Sequence, residues 1–293
     1  MKKIVMLQKQ KKRVVYISDY KIHSQQIGIT IIELLFSLSL SLILIAIVFD
    51  IYLASQKSLN TQSVLNALQD NATQAISILK SELHQAGYIG CAKLTVDFPL
   101  VSHSAVTLTP ENKMMGSSNK ITIKYASFPT NTLLTNMQNE TVMILDEMNK
   151  VMVGNILLIS DCQHAEIFKV QQVKHKRYQQ TVMADTPLNY RYAANAEVSQ
   201  LKVNHYFIAK TKRKDKLGNP IYSLFSEDIK HRKHELVEGI QQIIISYTLN
   251  RDGILTDVSA QEVDSWAKVA GVGIELTLKE LHLQKTWFMY TKV

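Results

Sequence analysis

The sequence predicts an α+β protein: a long N-terminal helix, membrane-spanning in its first part, packs its second part on an antiparallel β-sheet domain. Three observations lead there. The apolar run from Ile29 to Phe49 holds Glu33 as its only ionisable residue, and it suits the ~20 residues a helix needs to cross hydrocarbon. Beyond it, Leu65, Leu68, Ala72, Ile76, Leu79 and Leu83 recur at spacings of three and four, an apolar stripe of helical period. After Lys93 the pattern changes to period two, as where Ile121, Ile123 and Tyr125 alternate with Thr122 and Lys124.

The segment ahead of the apolar run is basic. Residues 1–28 carry Lys2, Lys3, Lys9, Lys11, Lys12, Arg13 and Lys21 against one Asp, so they hold +6 of the net charge of +8 and leave about +2 elsewhere. The high pI is therefore mostly a property of this leader, which weakens any global case for nucleic-acid binding. Lys and Arg ahead of a membrane-length helix place the N-terminus in the cytoplasm and the remainder outside. A secretory signal peptide is cut after its apolar region. Here the small residue Gly28 stands before that region, so cleavage there would keep the anchor, and an uncleaved signal anchor is the alternative.

Division of the chain follows: 1–28 as leader, 29–86 as one helix with 29–50 in the membrane, and 87–293 as a globular domain. That leaves roughly 200 residues for one domain, enough for a real core. No Gly or Pro interrupts 29–86, and Gly87 is placed to end the helix. Opposite the stripe lie Gln62, Asn66, Gln69, Asp70, Asn71, Gln74, Ser77 and Lys80. Glu33 needs a reason, because a carboxylate inside a membrane helix costs on the order of 2–3 kcal/mol unless it finds a partner or the interface. Its first-turn position, near headgroup depth and close to the positive end of the helix dipole, supplies one.

Together these features resemble a type IV prepilin N-terminus: a basic leader, Gly28, the apolar Ile29, Glu33 five residues in, and an apolar helix. The stretch Leu83-His84-Gln85-Ala86-Gly87-Tyr88-Ile89-Gly90-Cys91 narrows the likeness, being similar to the "AGY-x-GC" turn of the PilW family of type IV pilus minor pilins. Gly154-Asn155-Ile156-Leu157-Leu158-Ile159-Ser160-Asp161-Cys162 resembles that family's "GD-x-LL-x-SDC" strand, and Leu236-Val237-Glu238-Gly239-Ile240 its "LVEGV" segment. Trp266 and the strand that follows it fit the C-terminal end, so the likeness runs from about residue 24 to 280. Ile29 departs from the usual Phe or Met, and the leader is long.

The resemblance implies a pilin-like fold and a sequence of events. A prepilin peptidase would cut after Gly28 and methylate Ile29. The subunit would wait in the inner membrane with its domain in the periplasm. It would then pack helix to helix with other minor pilins and the major pilin at the inner-membrane assembly platform, ending in the pilus at the cell surface. Glu33 would meet the new terminus of a staggered neighbour and set filament register. Three alternatives stand beside this: a J-type pseudopilin of a type II secretion system, a pilin-anchored adhesin or DNA-binding tip subunit, and a membrane-anchored enzyme.

Cys91 and Cys162 lie in the part expected outside the cytoplasm, where disulfides persist. A bridge would close a loop of about 71 residues, worth roughly 4 kcal/mol by chain-entropy arithmetic; two buried free thiols are the alternative. Strands are expected at 120–126, 141–145, 155–160, 166–173, 198–209, 221–225, 241–250 and 269–278, a turn at Arg251-Asp252-Gly253, a short helix at 259–267 and loops at 102–119 and 129–140.

Chemical motifs are sparse. No Gly-x-Ser-x-Gly elbow, P-loop or His-Glu-x-x-His occurs, so no enzyme and no cofactor is expected. His231 and His234 are spaced for a helical metal pair, but Arg232 and Lys233 between them oppose a cation. Asp252 and Asp257 lack EF-hand spacing. The basic runs 174–177 and 210–216 read as hairpin tips, with phosphate binding as the competing role.

Overall fold

The computed structural model describes residues 30–92 and 94–293. The chain divides into two compact units, one ending at Ser58 and the other spanning Leu59–Val293. Helix α1 (Ile31–His84) provides the helical residues of the first unit and opens the second.

In the second unit, α1 turns a stripe of Leu68, Ala72, Ala75, Leu79 and Leu83 into the core, each at most 1% exposed. Full burial of one such leucine contributes about 1.5–3 kcal/mol. The helix ends at His84, two residues short of the expected boundary. Gln85 and Ala86 close the last turn through i→i+3 bonds to Glu82 and Leu83, and Gly87 takes φ +76°, a conformation that glycine adopts without Cβ strain. The Gly87 N–H then leaves the helix and donates to the Lys124 carbonyl of the sheet.

Fifteen strands follow among the described residues. They are β1 (Leu100–Ser102), β2 (Met114–Gly116), β3 (Lys120–Ala126), β4 (Asn131–Thr132), β5 (Val142–Leu145), β6 (Ile156–Ser160), β7 (Ala165–Lys176) and β8 (Gln179–Ala184), then β9 (Glu197–Lys214), β10 (Pro220–Glu227), β11 (Lys233–Glu238), β12 (Ile240–Arg251), β13 (Ile254–Val258), β14 (Val269–Glu280) and β15 (Leu283–Lys292). They form two sheets where one was expected. The larger runs β11-β10-β9-β6-β7-β8-β5 and is antiparallel along that path, with β1 added in parallel to β7. The smaller runs β13-β12-β14-β15, antiparallel throughout.

Strand β9 is the spine of the larger sheet. Its first residues pair with β6 and β4, and the rest of it with β3 and β10. At 18 residues it is long enough to serve four neighbours along its length, and Val198, Leu201, Val203 and Tyr206 are buried along it. The main core joins the α1 stripe to the inner face of the smaller sheet (Ile243, Ile245, Tyr247, Ile274, Leu276) and to Ile121, Ile123 and Leu224 of the larger one. A second core lies among β5–β9, and a third around Ile89, Leu158 and Ile167.

The expected helix at 259–267 is replaced by two 3-10 turns, Ala260–Glu262 and Trp266–Lys268, separated by an extended Val263. Their ends are fixed by local carboxylates instead of helical bonds. Glu262 accepts from the Ser259 N–H and hydroxyl, while Glu111 accepts from Ser265 Oγ and from the backbone N–H groups of Trp266 and Ala267. Those bonds, the Ser265 hydroxyl first, hold the Glu111 carboxyl below its ordinary range. Trp266 still reaches the core, edge-on to Tyr247 at 4.9 Å between ring centroids.

Candidate assembly interface

The helix begins in a way its sequence dictates. Thr30-Ile31-Ile32-Glu33 has the Thr-x-x-Glu spacing of a capping box. The Glu33 N–H donates to the Thr30 carbonyl at 3.0 Å and to Thr30 Oγ1 at 3.4 Å, and Leu34 N–H also donates to Thr30 O. Glu33 is thus the third residue of α1, exposed, with its carboxylate at the positive end of the helix dipole. Gly28 and Ile29, the expected cleavage pair, lie outside the described residues.

From Ile31 to Leu53 the helix exposes apolar side chains on every side. Ile31, Leu34, Phe36, Leu42, Ile45 and Phe49 are each more than half exposed. An all-round apolar surface does not suit water. Its polar residues are adapted to an apolar setting: Ser37 Oγ donates to Glu33 O at 2.6 Å, Ser39 Oγ to Phe36 O at 2.8 Å and Ser41 Oγ to Ser37 O at 2.8 Å. Each hydroxyl therefore carries its own acceptor, as a polar group in hydrocarbon or against apolar helices requires. The next carboxylate after Glu33 is Asp50, roughly 25 Å further along at 1.5 Å per residue. This helix is long and apolar enough to cross a membrane.

Cys91 and Cys162 form a disulfide across 71 residues, with their Cα atoms 5.1 Å apart. It ties the turn after α1 to the end of β6. Gly90, at φ +93°, sits under this corner, where a Cβ would come within 2.8 Å of Glu197 Oε2.

The basic runs lie at hairpin tips, where one arginine and one histidine meet neighbouring acids. Residues 210–216 lie at the end of β9 and in its turn to β10, where Arg213 pairs with Glu235 and Glu238, and Asp215 accepts from the N–H groups of Leu217 and Asn219. Residues 174–177 lie at the end of β7 and its turn to β8, with His175 3.9 Å from Glu147 and Arg177 over the Tyr178 ring. His231 and His234 do not share a helix: His231 is in the turn before β11 at φ +59°, and His234 is within that strand. His231 bonds Glu227, and Arg232 bonds Asp228. Burial pushes the Asp228 carboxyl up, but bonds from Arg232 and Lys230 and the guanidinium charge outweigh it and hold it at about 2. Asp252 occupies the tip of the β12–β13 turn, and Asp257 accepts from Thr248 Oγ1 at 2.5 Å. Among the described residues no three His, Cys, Asp or Glu side chains gather as metal ligands.

A cleft of about 610 Å³ opens beside α1, bounded by Asn60, Val64 and Asn71, the β9–β10 turn, and Lys279 to Leu281. No His or Cys lines it, and its charged groups include both signs.

Two acids that reach into the fold, one half-buried and one buried, escaped the sequence reading. Glu82 reaches from α1 to the larger sheet, where Tyr125 Oη donates at 2.9 Å and Asn204 Nδ2 at 3.4 Å. Glu166 is wholly buried and gathers His103 at 2.5 Å, the N–H groups of Asn189 and Tyr190, and Tyr192 Oη. Only the apolar alternation around Glu166 hints at an inward side chain.

Comparison of the chain with protein-family models, with curated proteins and with solved structures finds no match in any of the three.

Proposed function

We propose that this chain is a filament subunit of the type IV pilin class, acting as a minor pilin that joins a pilus through its N-terminal helix and helps to prime assembly. The observation that carries the reading is the contrast within α1. Its residues from Leu68 to Leu83 bury a stripe in a sheet domain, whereas those from Ile31 to Leu53 present apolar side chains all round. A helix of the second kind is stable in lipid or among other apolar helices, and a subunit that leaves the membrane must exchange the first setting for the second.

In this reading a peptidase cuts after Gly28, the Ile29 amine becomes the new terminus and is methylated, and the domain stands in the periplasm beyond an inner-membrane anchor. Glu33 then pairs with the terminus of a neighbour displaced along the filament axis. The pairing neutralises a carboxylate that the lipid edge tolerates and a helix bundle does not. The likeness of residues 83–91, 154–162 and 236–240 to PilW segments favours the pilus over a J-type pseudopilin.

Glu33→Val tests the reading, because the substitution improves membrane partition while removing the partner for the terminus. The variant should remain in the inner membrane at normal abundance, yet its amount in filaments sheared from the cell surface should fall at least tenfold. Equal amounts of wild type and variant in sheared filaments would contradict the register role. Absence of the wild-type chain from such filaments would contradict the pilus itself.

A further inference from the structure

The outer face of the smaller sheet carries a feature that packing on α1 does not need. Along β14, Val272, Ile274 and Leu276 point into the core, so Gly271, Gly273, Glu275 and Thr277 face outward. Register sets them beside Lys292, Tyr290, Phe288 and Thr286 of β15, and beside Thr248, Ser246, Ile244 and Gln242 of β12. Phe288 and Tyr290 both lean along the strand onto glycines. The hydroxyl end of Tyr290 covers Gly271, where a Cβ would clash with its Oη and Cζ atoms; a Cβ on Gly273 would meet Ser246 Oγ first, with the Phe288 Cζ and Cε2 atoms at an ordinary contact distance of 3.5–3.6 Å. Gly271 leaves room for the Tyr290 side chain to settle on the sheet, and both rings remain open to solvent, Phe288 at 69% and Tyr290 at 45%. Ile244, 42% exposed, extends the apolar strip to the central strand.

The chemistry around the rings selects the ligand. Glu275 stands between Ile244 and Phe288, and the remaining neighbours Gln242, Ser246 and Thr286 are neutral hydrogen-bonding groups. Outward charges cancel, Lys279 and Lys292 against Glu275 and Asp257. A phosphate backbone needs a cationic track beside its stacking rings, and here a carboxylate occupies the centre. A neutral sugar fits both halves of the surface. Its C–H face is drawn to the negative face of an aromatic ring. Its hydroxyls can donate to a carboxylate and exchange bonds with amide and hydroxyl side chains.

We propose that the exposed rings Phe288 and Tyr290, with Glu275 beside them and Gln242 on the same face, form a binding surface for a neutral carbohydrate. This does not rest on the pilin reading, since it uses only the sheet. The test is saturation-transfer NMR on the full chain in a detergent without a sugar headgroup, with maltose, lactose, cellobiose and diacetylchitobiose as probes. At least one sugar should receive transfer, and Phe288→Ala and Tyr290→Ala should each weaken its binding at least tenfold. Phe128→Ala, which removes an aromatic side chain 76% exposed outside both sheets, should not. Both platform side chains face solvent, so thermal melts of the variants should match the wild type and separate lost binding from lost folding. No transfer to any of the four sugars overturns the proposal, as does transfer that survives both substitutions. Loss of oligothymidylate binding, or of a dimer, on the same substitutions in the absence of sugar binding would assign the face to another partner and overturn it equally.

Discussion

Glu82 leaves α1 on the face that meets the sheet, and its carboxylate is held by Tyr125 and Asn204, with Tyr206 Oη next in the chain of bonds. Burial pushes both the Tyr125 and Tyr206 phenols up, with the nearby carboxylate adding to it, so these rings stay protonated donors across the accessible pH range. Glu82→Ala should therefore cost about 1–3 kcal/mol, because it leaves part-buried donors without an acceptor; Glu82→Gln, which keeps an acceptor, should cost less. Urea unfolding of the sheet domain measures both, and equal losses would mean that helix packing alone sets the value. This residue shows where legibility ends. Cys91 and Cys162 could be paired from sequence because the chain has only two cysteines and both lie past the apolar helix. Glu82 sits beside Leu83 and reads as a polar helix position, because the phenol and amide that make its burial tolerable come from strands far along the chain.

Within the elements, α1 joins two kinds of surface, and substitutions should separate them. Leu79→Ala opens a cavity at a fully buried position and should cost about 2–5 kcal/mol. Leu44→Ala, at an exposed position of the apolar half, should leave the urea midpoint of the sheet domain unchanged while weakening retention in bilayers. Equal effects on that midpoint would contradict the division. Strands were legible where burial alternates on one side, and β3 spans the residues its Ile-Thr-Ile-Lys-Tyr pattern suggests. Others left little pattern to read. β13 is exposed along nearly its whole length, and β15 alternates aromatic residues that face water with a mixed inner row. The 259–267 segment has helical composition and a Ser259–Glu262 capping box, but the Glu111 carboxylate takes the Trp266 and Ala267 N–H groups that a continued helix would have used. Loop 102–119 contains β2 because Met114 fills the main core, a contact that no local pattern announces.

For the whole molecule, the apolar helix and the sheet domain were legible in the sequence, since each depends on runs of like residues. The number of sheets depends on which strands find each other, and β9 alone connects residues of four partners. In the proposed function the far end of the chain decides the outcome: the apolar helix would be kept because cleavage falls before it, at Gly28, and Glu33 would meet the amine so created. Membrane-extracted protein from cells that hold a prepilin peptidase, analysed by intact mass and N-terminal peptide sequencing, tests this directly. The expected product is a chain that starts at Ile29 and carries one extra methyl group. A chain that retains residues 1–28 would contradict it, leaving a signal-anchored domain whose Glu33 serves only to cap its own helix.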